Sequence, residues 1–437
     1  MSTAFALAGL GGNNAHGAGF LAAAQELQRR RQESFTPDAL VRLAGLDDVG
    51  ARRRMDRGIL PELEFVSCTS GAIASVLAYL EGKDVREETE GAIASLERAA
   101  WLPRNAYTDP WRSILVTLFT GVPGVFGPWA EAFSAHLMQR AMGFFDRTSP
   151  YYGAVPTTYD EFADLWLPAE AFVPKRPQAF FDKAAEVLDS SDHGVGVAFN
   201  SFDPRTGLEQ LYVNARGMEL LREHHDEDAQ YGRAHGRTVY HRITSDGVRN
   251  ALWLFYYGFP AAHLGPARYV DGAYARSIIL NELTGAERIY AVKPVNDRWL
   301  GRLPQNLFEV ADMQTEFWME ASYREQYRLI ETINDLKRAG RLPVKPKEQR
   351  DNGHAKETEL EPRIRRVRQK KYKDVELVPV EIAIQRGFFT YFVEDREVFR
   401  DAYGQALRLL MERDEYDARR AGEEAPHHVG ARPGHRG

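Results

Sequence analysis

The stretch Leu63-Glu64-Phe65-Val66-Ser67-Cys68-Thr69-Ser70-Gly71-Ala72-Ile73-Ala74-Ser75-Val76-Leu77-Ala78-Tyr79-Leu80 decides how this chain is read. Leu63 to Ser67 is a short apolar run that predicts a buried strand, and Gly71 to Leu80 predicts a helix. Between them a thiol and two hydroxyls sit on a turn of small residues. A strand, a sharp turn carrying a hydroxyl and a small-residue helix form the geometry of a nucleophile elbow. The helix start also offers unpaired backbone N–H groups and a positive dipole end.

Working outward, the N-terminus repeats the pattern. Thr3 to Ala8 predicts a strand, Gly9-Leu10-Gly11-Gly12-Asn13-Asn14 a loop, and Ala18 to Arg31 a helix with a basic end that suits its dipole. Two strand–turn–helix units in succession predict a parallel sheet with helices on its faces. Glycine lets a backbone approach closely, so Gly11, Gly12 and Asn13 can turn donors toward the elbow and form an oxyanion hole. Two hundred residues on, Ala267 to Val270 leads into Asp271-Gly272-Ala273. A carboxylate at a strand end can act as the base for a hydroxyl. Gly71 and Gly272 are the supporting glycines of the two motifs.

The order of glycine-rich loop, elbow and Asp-Gly-Ala resembles the patatin-like phospholipase family over roughly residues 4 to 295. The segments that carry the likeness are FALAGLGGNNAHGAGFLAAAQE, LEFVSCTSGAIASVLAYL, VGVAFNSFDPRTGLEQLYVN and ARYVDGAYARSIILNELTGAERIYAV. The resemblance implies a three-layer α/β/α fold with a mainly parallel central sheet, and a Ser–Asp dyad that cleaves acyl esters of lipids without a metal or other cofactor. Carried onto this chain, the nucleophile is Thr69 or Ser70, the base Asp271, and the oxyanion hole Gly11, Gly12 and Asn13. The chain departs from the family's Gly-X-Ser-X-Gly elbow. Aligning on Gly71-Ala72 places Thr69 at the nucleophile, whereas placing Ser70 there requires a one-residue deletion. Asn13 stands where the family has Arg or Lys. A second reading follows from these departures: a fold relative without catalysis that binds acyl chains or a partner protein.

The rest of the chain sets the organisation. Residues 1–340 read as the α/β domain, with Val116 to Pro150 as ordinary core or a cap over an apolar pocket. Residues 341–373 read as a charged, partly disordered excursion, 374–420 as a strand and helix packed on the core, and 421–437 as a disordered tail. Arg363 to Lys373 is a basic run. Its default is a solvated face, and its functional alternative is peripheral contact with an anionic membrane.

With 437 residues, a net charge of -6 and one cysteine, the chain suits a large soluble core. These features argue against nucleic-acid binding and exclude an internal disulfide. No basic n-region precedes the small apolar N-terminus, and no run reaches a membrane span, so a cytoplasmic location is expected. Cys68 reads as packing rather than as a nucleophile. His224-His225-Asp226-Glu227-Asp228 reads as a solvated loop rather than a metal site, because adjacent histidines chelate poorly. His241 and His263 read as surface or satisfied core residues.

Overall fold

The computed structural model describes residues 2–9, 14–44, 48–99, 126–128, 130–155, 157–158, 172–174, 176–225, 228–253, 269–294, 298–299, 302–305, 307–339, 375–381 and 396–424. In chain order the elements are β1 (Thr3–Leu7), α1 (Ala15–Ser34), α2 (Pro37–Ala44), α3 (Asp48–Asp56), β2 (Leu63–Cys68), α4 (Ala72–Leu80) and α5 (Val85–Ala99). Then come β3 (Phe126–Pro128), α6 (Ala130–Phe145), β4 (Phe172–Pro174), α7 (Gln178–Asp189), β5 (Gly196–Asp203), β6 (Leu208–Val213) and α8 (Ala215–His224). The remaining elements are β7 (Ala234–His235), β8 (Thr238–His241), α9 (Ser245–Ala251), β9 (Val270–Asp271), β10 (Arg288–Val292), α10 (Leu307–Arg338), β11 (Glu376–Val380) and α11 (Arg396–Glu424).

Among the described residues nine strands form one sheet, in the order β11-β10-β1-β2-β5-β6-β8-β7, with β9 paired to β5. From β11 to β5 all neighbours are parallel, and β6 then turns the direction. Every residue of β1 is buried, although successive side chains point to opposite faces. Both faces of the sheet are therefore covered, as a three-layer α/β/α fold requires. The apolar runs Ala4 to Leu7 of β1 and Ile289 to Val292 of β10 follow from this; an alternating pattern would leave polar side chains under helices.

The first strand is central. β1 lies between β2 and β10, and its register pairs Thr3 with Arg288 and Leu7 with Val292. The carboxyl ends of β1, β2 and β5 share one edge of the sheet. In open α/β sheets that edge is where ligands are bound.

The C-terminal strand and helix are integral. β11 extends the sheet beside β10. α11 lies along α1, where a Cβ on Gly19 would come within 2.8 Å of both the Ala402 side chain and the Phe399 carbonyl. Two buried arginines tie this helix down. Arg31 bonds Glu62 at 2.8 Å and Asp414 at 2.6 Å, and Arg288 bonds Glu376 at 2.7 Å and Asp417 at 2.6 Å. Removing one member of such a cluster leaves an uncompensated buried charge. Arg31→Ala is expected to cost about 3–5 kcal/mol, which urea unfolding would measure; a loss below about 1 kcal/mol, the scale of surface pairs, would refute the argument.

The structure corrects several expectations. Residues 116–150 do not behave as ordinary core where they are described: β3 pairs with β4, and Met138, Met142 and Phe145 of α6 are 64%, 66% and 79% exposed. The spacing of four and three residues puts these side chains on one face of the helix. α8 continues to His224, so the first histidine of the expected solvated loop is helical and packs beside Gly285. α11 runs to Glu424, into the stretch read as tail. The excursion 341–373, including the basic run 363–373, lies outside the described residues, as does His263. Among the described residues no helix is long and apolar enough to cross a membrane.

Candidate active site

The elbow is built from β2 outward. Thr69 N–H donates to the Leu7 carbonyl at 3.1 Å, which keeps the chain paired to β1 for one residue beyond the strand. The next residue, Ser70, has φ +54°. That left-handed conformation costs a non-glycine residue about 1–2 kcal/mol and persists only where the surroundings impose it. The chain then enters α4 through three tight bonds, from Ala72, Ile73 and Ala74 N–H to the carbonyls of Thr69, Ser70 and Gly71. The Gly71 N–H takes no part in them and makes no hydrogen bond among the described residues. The thiol of Cys68 is buried and burial pushes its pKa up, so it stays protonated and packs. Ser67, also buried, donates to the Ile279 carbonyl at 2.6 Å.

The two hydroxyls of the elbow differ. Thr69 is fully buried, and its Oγ1 has no hydrogen-bond partner among the described residues. Ser70 is 5% exposed and faces Asp271. The left-handed turn swings Ser70 toward the carboxylate. A β-branched threonine would resist that conformation, and the sequence places serine there.

Gly9 makes the turn possible from the neighbouring strand. A Cβ at Gly9 would fall 2.1 Å from the Thr69 carbonyl oxygen and 2.5 Å from the Ser70 Cβ. The close approach at this turn is provided by Gly9 across the sheet. Gly9→Ala is expected to destabilise the protein by about 3 kcal/mol or more, since the clash is with backbone. Differential scanning calorimetry showing an unchanged melting temperature would contradict this packing.

The entry to α1 is pinned to the same place. Asn14, also left-handed with φ +50°, is buried beside His16 and the Ala8 carbonyl. With its amide turned to satisfy both ends, Asn14 donates to Ala8 O and accepts from Ala72 N–H, each at 3.3 Å. Burial keeps His16 neutral, with its pKa pushed down to about 3. The polar pair thus links the start of α1 to the start of α4.

Asp271 arrives on β9, antiparallel to the end of β5, with Asp271 opposite Ser201. Its own N–H donates to the Trp253 carbonyl at 2.7 Å. One carboxylate oxygen, Oδ1, accepts from Ala273 N–H at 2.9 Å, so the residue caps its own turn. The side chain is fully buried, and desolvation pushes its pKa up to about 7, opposed by hydrogen bonding from Ser70 and Ala273. Oδ2 has no closed hydrogen bond among the described residues. A buried carboxyl titrating near neutrality beside a strained hydroxyl is a perturbation of the kind found at functional sites.

Of the residues singled out from sequence, Ser70, Gly71, Asp271 and Gly272 converge at one sheet edge. Thr69 lies with them but turns its hydroxyl into the interior. Gly11, Gly12 and Asn13 lie outside the described residues. Sequence reasoning misses Gly9, which carries a usable signal as the first glycine after an apolar strand. His241 is a satisfied side chain, bonded to Gln210 at 2.8 Å and lying over Tyr212. Among the described residues no group of three His, Cys, Asp or Glu is placed to hold a metal ion.

No protein-family model matches the chain, and no curated relative matches it. Among solved structures it matches VipD from Legionella pneumophila at 13% sequence identity, over 94% of this chain and 66% of that one, with a TM-score of 0.30. The chain thus spans just under two thirds of that protein, and a likeness this distant carries no functional argument.

Proposed function

We propose that this chain is a patatin-like acyl hydrolase in which Ser70 attacks a carboxylic ester, of a lipid by preference, and Asp271 serves as the base. The observation that carries the reading is the left-handed Ser70 on a strand-to-helix turn, facing a buried carboxylate that has a free oxygen. Ionised Asp271 takes the Ser70 proton as Oγ bonds to the acyl carbon. The carbonyl oxygen becomes an oxyanion, for which the Gly71 N–H and the loop of Gly11, Gly12 and Asn13 are the proposed donors. Collapse expels the alcohol, which takes the proton back from Asp271. A water, deprotonated by the same carboxylate, then attacks the acyl-serine and releases the acid and Ser70. The apolar, water-poor surroundings of the carboxyl strengthen these interactions.

Fluorophosphonate labelling followed by peptide mapping tests the proposal. An adduct on Ser70 in the wild type is the expected result. Folded protein that takes no label, or takes it elsewhere, would overturn the reading.

A further inference from the structure

Asp271 stands on a turn of three residues, and such a turn holds a carboxylate no better than its supports. Asn200 supplies the first. Its Nδ2 donates to Gly272 O and Arg276 O, both at 3.3 Å, so one buried amide spans both ends of the segment after Asp271. A Cβ on Gly272 would lie 2.1 Å from Asn200 Oδ1, which places the turn in direct contact with this side chain. The same Nδ2 donates to Glu209 Oε1 at 2.8 Å. Glu209 in turn accepts from Arg276 Nε at 2.7 Å and from Thr238 at 3.2 Å. The Arg276 guanidinium closes the network with a two-bond fork to Glu282, at 2.6 and 2.8 Å.

We propose that the Asn200–Glu209–Arg276–Glu282 network is a positioning device for the Asp271 carboxylate, an inference that rests on the hydrolase reading. Buried ion clusters are poor stabilisers compared with apolar packing, but they impose geometry. Here the fork fixes Arg276, Arg276 and Asn200 fix the turn, and the turn carries both the carboxylate and the Ala273 N–H that orients it. Strands β5, β6 and β8 supply the rigid side of the network, so the base is referenced to the sheet that also carries the elbow. A misplacement on the order of 1 Å at a reacting group costs about 10²-fold in rate.

The test compares Asn200→Ala, Glu209→Ala and Glu209→Gln with the wild type on a p-nitrophenyl ester of a fatty acid. Asp414→Asn, which removes a half-buried partner of Arg31 remote from the elbow, is the control. Asn200→Ala leaves the Arg276 ion pairs intact and is the variant chosen to fold. Asn200→Ala and Glu209→Ala are expected to lower kcat about 10–100-fold with little change in KM. Glu209→Gln, with its amide oxygen in the place of Oε1, keeps the bonds from Asn200 and Arg276 and is expected to restore most of kcat. Asp414→Asn is expected to lose stability and keep kcat. A second readout needs no activity: the pH dependence of unfolding, with and without Asp271→Asn, reports where Asp271 titrates in each background. Loosening the turn admits water and moves that midpoint down. Folded Asn200→Ala with wild-type kcat and an unmoved Asp271 midpoint would overturn the proposal. If wild-type Ser70 neither takes label nor turns over ester, the hydrolase reading falls. The Asp271 midpoint then decides the positioning role alone, a lowered value upholding it and an unmoved one ending it.

Discussion

Ser70→Ala is expected to abolish covalent capture by a fluorophosphonate and to lower ester hydrolysis by at least about 10³-fold, while Thr69→Ala stays within about tenfold of the wild type. The asymmetry follows from the turn. Ser70 alone has the left-handed backbone that swings its hydroxyl toward Asp271. Thr69 spends its N–H on Leu7, and its side chain is fully buried. Alanine at position 70 removes the nucleophile and keeps the Cβ that Gly9 accommodates, so the fold is retained. Active-site titration and steady-state kinetics on the two variants are decisive. A Thr69→Ala enzyme as impaired as Ser70→Ala would assign the attack to threonine and overturn the geometry.

Asp271→Asn is expected to lose activity by about 10⁴-fold and to gain stability, and the gain depends on pH in a defined direction. The folded-state pKa of Asp271 is raised to about 7 by burial, whereas an unfolded chain holds aspartate near its ordinary ~3.9. Between these values the folded state binds more protons than the unfolded one. Stability therefore falls as pH rises from about 4 to about 7, and the full cost of burying the charge is present above that window. A rise of this size corresponds to about 4 kcal/mol, an upper bound on what Asn recovers. Asparagine still accepts from Ala273 N–H, so the turn survives. Denaturant unfolding at pH 5 and pH 8 should show the variant's advantage growing by a few kcal/mol. The same titration governs wild-type turnover: kcat/KM should rise to a plateau above pH 7, because the base must be ionised. A flat profile across pH 5–8, or an advantage that shrinks with pH, would rule out Asp271 as the buried base.

The parts of the chain that can be read from sequence are those where one physical requirement acts on consecutive residues. After Thr3 and Arg288, β1 and β10 are apolar because helices cover both faces, and Arg288 to Val292 is a strand over the whole of the run that announces it. The elbow is legible as a place, since small residues between a strand and a helix have few other uses. Which hydroxyl it presents is not, because the backbone angle of Ser70 is set by Gly9 and Leu7 from another strand. β7, β8, α8 and α9 are short and mixed in character, and tertiary packing rather than periodicity holds them. Asn200 and Arg276 matter through partners 9 and 67 residues away, which spacing along the chain does not reveal.

The pairing of Thr3 with Arg288 has a consequence for how this protein comes into being on the ribosome. β1 is made early and waits for a strand made nearly three hundred residues later before both its edges are covered, and α1 waits longer still for α11. Contacts so distant along the chain form slowly. A nascent chain carries its elbow early, yet the wall behind the first strand is absent until β10 and α11 have been synthesised. The sheet that carries the elbow is therefore complete only after β10 has been made, and the packing around α1 only after α11.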